Sequence, residues 1–282
     1  MKNYLIVNHF LKFESFDNLY KALQQAFEKR GEKLEILTNI GARELLKENG
    51  NGAPVLFFDK DIYLAKLLEK SGYRCVNNAF VIETCDDKAK TYLALKDKFR
   101  MPKTILCPYW FDNLKCETQD FLHYVANQLS YPLVVKENKG SFGAQVYLAN
   151  DFNELKGLVE KIGHCKILFQ EFIKDSAGKD LRVYVVKGKT VAYALRSNDN
   201  DFRSNVNSGG KMQTIEVDKS YLRMAEEITN YLGADFAGID LLFGEQPILC
   251  EVNSNAHFNA LSSVSGVDVG LKIADYYLSL KN

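Results

Sequence analysis

The sequence lacks the features that would tie it to a membrane, a stapled scaffold or a nucleic acid. No apolar run approaches the ~18 residues of a membrane helix. The longest, such as Pro54-Val-Leu-Phe-Phe58, suit a buried strand. The opening Met1-Lys-Asn-Tyr-Leu-Ile-Val-Asn8 is less apolar than the run of about seven a signal peptide needs, so a cytoplasmic protein without a membrane partner is expected. The six cysteines (Cys75, Cys85, Cys107, Cys116, Cys165 and Cys250) contain no Cys-x-x-Cys pair. A structural zinc site is therefore not indicated, and the thiols read as small core residues in a reducing compartment. With only 5 prolines and 18 glycines the chain is neither collagen-like nor low-complexity. Charge of one sign is also missing: 36 basic residues balance 36 acidic ones. That disfavours nucleic acid as the main partner but leaves room for a local basic pocket.

What remains is an ordinary globular composition, 46% apolar and 26% charged over 282 residues, enough for roughly two domains. The first third alternates strand and helix. Tyr4–Val7, Leu34–Leu37 and Val55–Phe58 read as strands. Phe16 to Arg30, and a segment from Ile62 that ends before Gly72, carry helical spacing. This α/β order predicts a parallel, Rossmann-like sheet. Yet Asn8-His9-Phe10-Leu11 follows the first strand, and no Gly-x-Gly-x-x-Gly turn is there to hold a pyrophosphate. Further on, Lys88–Lys98, Gln119–Leu129, Ser220–Leu232 and Val269–Leu280 read as helices. Pro102–Leu106, Leu133–Lys136 and Gln145–Leu148 read as extended. Leu181–Leu195 and Gly238–Asn253 read as hairpins. Borders near Glu83 and Gln170 divide the chain into 1–83, 84–169 and 170–282.

The most informative stretch is Gly238-Ile-Asp-Leu-Leu-Phe-Gly-Glu-Gln-Pro-Ile-Leu-Cys-Glu-Val-Asn253. With the turn centred between Glu245 and Gln246, Asp240 lies opposite Glu251, and Asn253 shares the face of Glu251. Two carboxylates directly across a ladder repel. A hard divalent cation such as Mg²⁺ reverses the sign of that effect. A solvated hairpin face with two unconnected acids is the alternative.

Other segments suit an anion. Lys136 ends the strand Leu133-Val-Val-Lys136, just before a loop bearing Gly140, Ser141 and Gly143. Glycines there let backbone N–H groups approach a phosphate. Lys88 sits in a first helical turn after Asp86 and Asp87, where the aspartates or a bound anion must offset the helix dipole. Gln170-Glu-Phe-Ile173 reads as an extended inter-domain connector able to pair with a flat base. Asp180 could accept hydrogen bonds from ribose. Arg203, Ser204 and Asn205 lie in a polar stretch beyond Leu195-Arg196, and arginine donors can stabilise a transferring phosphoryl group. Gly188-Lys189-Thr190 lacks the preceding glycine of a phosphate loop and reads as a turn. The histidines (His9, His123, His164 and His257) form no metal spacing.

These pieces, in this order, resemble the ATP-grasp superfamily, specifically its RimK-type α-L-glutamate ligases. The resemblance is carried by Cys85-Asp-Asp-Lys88, Leu133-Val-Val-Lys136, Gly140-Ser-Phe-Gly143, Gln170-Glu-Phe-Ile-Lys-Asp-Ser-Ala-Gly-Lys-Asp-Leu-Arg182, Asp201-Phe-Arg-Ser-Asn205 with Gly209-Gly210, Gly238-Ile-Asp240 and Glu251-Val-Asn253. It implies an ATP-grasp fold behind the N-terminal region. By the resemblance, Lys88 and Lys136 contact ATP phosphates, and the glycine loop (Gly140, Ser141, Gly143), also ATP-binding, closes over them as a lid. Glu171 and Phe172 hold adenine by backbone within the ATP-binding run from Gln170 to Ile173, and Asp180 binds the ribose. Arg203, Ser204 and Asn205 take the phosphate end, with Arg203 and Arg196 stabilising charge in transfer. Asp240, Glu251 and Asn253 carry two Mg²⁺ ions (Mn²⁺ as an alternative), Glu251 bridging them. Gln145 stands where the family's loop usually has another glycine.

The implied activity is an ATP-dependent ligase that joins L-glutamate, or a similar amino acid, to a small-molecule, peptide or protein acceptor through an acyl phosphate. A kinase acting on a hydroxyl and a non-catalytic nucleotide-binding module are the alternatives. A homo-oligomer is compatible with any of these.

Overall fold

The computed structural model describes residues 2–109, 119–141, 143–163, 166–205 and 209–281. Three sheets organise them. In the first third, β1 (Asn3–Val7), β2 (Leu34–Thr38), β3 (Pro54–Phe58) and β4 (Arg74–Val76) lie in the order β2-β1-β3-β4, and each neighbouring pair is parallel. The alternation of short apolar runs with amphipathic segments dictates this arrangement, because parallel neighbours need crossovers. α1 (Glu14–Glu28) buries Leu19, Leu23, Ala26 and Phe27 along one stripe. α2 (Ile62–Lys70) starts at Asp61, whose carboxylate accepts the Leu64 N–H, satisfying one of the donors a helix start leaves free.

The middle part opens with two short helices, α3 (Ala79–Cys85) and α4 (Lys88–Leu95). β5 (Thr104–Leu106), α5 (Gln119–Gln128), β6 (Leu133–Glu137), β7 (Val146–Ala149), α6 (Phe152–Ile162) and β8 (Ile167–Glu171) follow. Its sheet has the order β5-β8-β6-β7 and is antiparallel. Two expectations change here. The extended connector from Gln170 begins as the end of β8, an inner strand flanked by β5 and β6. The fully buried run Ile167-Leu-Phe169 makes it so. The helix from Lys88 stops at Leu95, three residues before Lys98.

The last sheet has the order β11-β10-β9-β12-β13, from β9 (Lys179–Val186), β10 (Lys189–Ser197), β11 (Lys211–Gln213), β12 (Phe236–Leu242) and β13 (Ile248–Asn253). Around it pack α7 (Lys219–Leu232), α8 (Asn259–Ser265) and α9 (Val269–Ser279). Lys187 and Gly188 make the β9–β10 turn with φ of 51° and 66°, the two positive angles of a tight hairpin turn. The expected turn at Gly188-Lys189-Thr190 thus falls at the start of β10.

The first and last sheets share one core, where Leu5, Phe58, Tyr184, Phe236 and Tyr277 meet. Polar bonds reinforce the junction. Asn77 donates to the carbonyls of Phe236 and Ser254, and its own carbonyl accepts the Asp235 N–H. The middle sheet has a separate core around Leu122, Val135, Leu155 and Phe169. Among the described residues no helix is long and apolar enough to cross a membrane. Cys75 and Cys85 are buried, Cys107 and Cys250 partly so, and none of the four is in a disulfide. Cys116 and Cys165 lie outside the described residues.

Candidate active site

The acidic hairpin has the expected register where it matters. Gly238 pairs with Asn253, Ile239 with Val252 and Asp240 with Glu251. Beyond Asp240 the pairing slips by one, Leu241 facing Leu249, so a β-bulge sits at Cys250. The bulge breaks strict alternation, and the consecutive residues Cys250 and Glu251 both face one cavity. That cavity, partly open to solvent, lies between the middle and last sheets.

Nearly every residue singled out in the sequence lines it: Lys88, Lys136, Gly140, Ser141, Gly143, Gln170, Glu171, Phe172, Ile173, Asp180, Arg196, Arg203, Ser204, Asn205, Asp240 and Glu251. Asn253 does not. Its Nδ2 approaches the lining residue Asp240 at Oδ2, 3.4 Å away. At one end Val134, Phe172, Ile173, Phe202 and Leu242 form an apolar slot, with the Phe172 and Phe202 rings edge to face at 6.3 Å. Gln170 is buried there and donates to Thr104 Oγ1 at 2.9 Å. The Glu171 carboxylate accepts the Lys103 N–H at 2.7 Å.

The polar end is an ion-pair lattice made by cross-strand neighbours. β9 and β10 set Asp180 opposite Arg196, and β9 and β12 set Arg182 opposite Asp240. Arg196 is buried and grips Asp180 through Nε at 2.7 Å and Nη2 at 2.5 Å. It also reaches Asp240 Oδ2 at 2.9 Å. Arg182 adds two bonds to the same Asp240, through Nε and through Nη2 at 2.9 Å. Burial pushes the Asp240 carboxyl up, but the two guanidiniums outweigh it and hold the group below the ordinary range. Burial likewise pulls Arg196 down, and Asp180 with Asp240 more than reverse that. Lys88 Nζ lies 3.4 Å from Glu251 Oε1, and Lys136 Nζ 3.7 Å from Cys250 Sγ. Burial raises the Cys250 thiol, Lys136 opposing.

The helix-start question at Lys88 is answered locally. Asp87 caps α4 by accepting the Ala89 and Lys90 N–H groups, so the Lys88 ammonium is free to point at the cavity. The glycine loop arches over the same space. Gly143 has φ +74°, and a Cβ there would fall 2.6 Å from Asn205 Oδ1. A Cβ on Gly140 would fall 2.3 Å from Gln145 Oε1. Gln145, the departure from the family's usual glycine, thus packs against Gly140. Phe142 lies outside the described residues. Arg203 bonds Asp201 through Nε at 3.0 Å and Nη2 at 2.6 Å, which holds the Asp201 carboxyl low. Its Nη1 donates to Gly143 O at 2.7 Å.

The donor atoms are the kind a hard cation takes: two carboxylates face each other across one ladder and an amide stands beside one of them. Arg182, Arg196 and Lys88 occupy those carboxylates here, and a bound cation would have to displace part of that lattice. Among the described residues no three His, Cys, Asp or Glu side chains gather as a metal-sized cluster, so the amide would have to complete the set. None of the described histidines lines the cavity. His123 stacks on Phe152 and His257 meets Phe16 edge-on. His164 lies outside the described residues. Sequence reasoning gave no role to Arg182, Cys250 or Lys60. The one available signal for Arg182 was a lone charge inside the apolar strand Leu181-Arg-Val-Tyr-Val-Val186.

A family model for the RimK-like ATP-grasp domain matches residues 85–277. The chain is 36% identical to N-acetylaspartylglutamate synthase A of Homo sapiens over 80% of its own length and 58% of the relative's. It is 35% identical to β-citrylglutamate synthase B of Danio rerio over 79% and 55% of the two lengths. It therefore spans just over half the length of these relatives. Among solved structures, a RimK-domain ATP-grasp protein from Sphaerobacter thermophilus superposes with a TM-score of 0.73 at 21% identity, covering 98% of this chain and 99% of that one. The fold is accordingly ATP-grasp, mixed α/β.

Proposed function

This chain belongs to the RimK-like ATP-grasp family, and from that premise we propose that it is an ATP-dependent carboxylate–amine ligase. The observation that carries this is the opposition of Asp240 and Glu251 in a cavity that also holds Lys88, Lys136 and Arg203. Acids paired across a strand beside three cations suit a nucleotide triphosphate with its metal, and little else. A substrate carboxylate attacks the γ-phosphate, giving an acyl phosphate and ADP. An amine then attacks the acyl carbon and expels phosphate, leaving an amide. Lys88 and Lys136 orient the phosphates, and Arg203 faces the group in transfer. Arg196 works one step back: it is committed to Asp180 and Asp240 and holds both in place. The apolar slot takes the adenine and Asp180 the ribose. Asp240, Glu251 and Asn253 would hold Mg²⁺, which when bound neutralises the phosphates. On this reading residues 84–169 and 170–282 enclose the nucleotide, and 1–83 shape the acceptor side.

The amine is proposed to be L-glutamate or a close analogue, because the two relatives above are named for glutamate products. An acceptor screen with ATP, Mg²⁺ and L-glutamate, read by mass spectrometry, tests it. Products heavier by one glutamyl residue, with equimolar phosphate release, are expected. A stable phosphorylated product would instead mark a kinase. Glu251→Gln should lower Mg²⁺-dependent ATP turnover at least about a hundredfold. Unchanged turnover would remove the acidic hairpin from the mechanism.

A further inference from the structure

Three cations grip the glycine loop, one from each part of the chain. Lys88 Nζ reaches Gly140 O at 3.4 Å, Arg203 Nη1 reaches Gly143 O at 2.7 Å, and Lys60 Nζ donates to Ser141 Oγ at 3.1 Å. Lys88 and Arg203 line the cavity, and a triphosphate bound there competes with the loop carbonyls for both. Lys60 differs in each respect. It follows β3 on the first sheet and is not among the lining residues. Its backbone N–H is tied to Asp59 Oδ1 at 2.7 Å, and its ammonium is paired with Asp86, between α3 and α4. Held from both ends, the ammonium presents a donor to the hydroxyl of Ser141, a loop residue that itself lines the cavity.

We propose that Lys60 is a positioning residue, a latch that ties the first sheet to Ser141 and keeps the glycine loop shut over bound nucleotide. The proposal rests on the ligase reading, which sets the triphosphate beneath this loop. Its chemical use is the exclusion of water. An acyl phosphate that meets water before the amine is lost, so a loop that opens early turns the ligase into an ATPase.

Stopped-flow release of a fluorescent ADP analogue in Mg²⁺, together with acceptor-free ATP hydrolysis, tests this. Lys60→Ala should speed release about fivefold, the scale of one partly exposed charged contact, and raise acceptor-free hydrolysis. Lys60→Arg should restore slow release. With Ser141→Ala already in place, Lys60→Ala should speed release no further. Lys60→Met, which keeps the aliphatic stem and removes the donor, tests the same contact should Lys60→Ala fold poorly. A merely structural lysine would leave release and its rescue by arginine unmoved. Unchanged release in Lys60→Ala, or additive effects in the double variant, overturns the latch while the ligase reading stands. Failure of the unsubstituted chain to bind the analogue at all overturns both.

Discussion

Two hairpins line the cavity, and they are built by opposite rules. The β12–β13 ladder is rooted in apolar packing. Ile239, Leu241, Leu249 and Val252 are fully buried, and Asp240 is locked by two guanidiniums. The β6–β7 hairpin ends in a loop that exposes Ser141 and packs its glycines against polar side chains, Gln145 and Asn205. Polar contacts to Lys60, Lys88 and Arg203 hold that loop. Acids that must keep one geometry sit on the ladder, where moving costs core contacts. A cover that must open for substrate sits on the loop, where each contact is worth little alone.

This contrast can be broken at its strongest point first. Arg196→Leu leaves two buried carboxylates short of a partner and should cost about 3–5 kcal/mol of stability by denaturant titration. Asp240 titrates low in the native protein, so its contribution is complete above the unfolded carboxylate range and is lost as pH falls through its folded value. The gap between native and variant should therefore be widest at neutral pH and narrow towards acid. A gap independent of pH would show that Asp240 does not depend on this arginine. Gly143→Ala forces a side chain into a left-handed conformation at a cost of about 1–2 kcal/mol. That cost should fall on the loop, weakening nucleotide binding while the melting temperature hardly moves. A large drop in melting temperature would mean that the loop is part of the core. Smallest of the three, Tyr147→Phe removes one hydrogen bond to Glu137 within the loop hairpin. It should cost about 0.5–1.5 kcal/mol, and a loss on the Arg196 scale would erase the contrast.

The same contrast explains what could be read from residues alone. Asp240 facing Glu251 followed from a turn assumed between Glu245 and Gln246; the pairs nearest the turn, Leu242 with Ile248 and Leu241 with Leu249, centre it on Glu245 instead, and the bulge restores the Asp240–Glu251 pair. The bulge at Cys250 was not legible, since nothing local marks the extra residue. Arg182 opposite Asp240 and Arg196 opposite Asp180 require strand neighbours distant in sequence, which periodicity does not supply. The start of β8 went unread because only three apolar residues precede Gln170; the extended reading from Gln170 took in the last two residues of that strand. The short helices α3 and α8, seven residues each, are too brief for a helical period to stand out. Alternation of elements in the first third was plain, whereas the order β2-β1-β3-β4 depends on crossovers that carry no motif.

Asn77 gives the junction of the outer sheets a thermodynamic meaning. Its buried amide serves four backbone groups where β12 begins and β13 ends, and Arg74 and Tyr276 close on Asp235 beside it. The first third and the final third therefore cannot melt separately without stranding those groups dry. In hydrogen-exchange terms they belong to a single foldon assembled from opposite ends of the chain, while the middle sheet packs a core of its own.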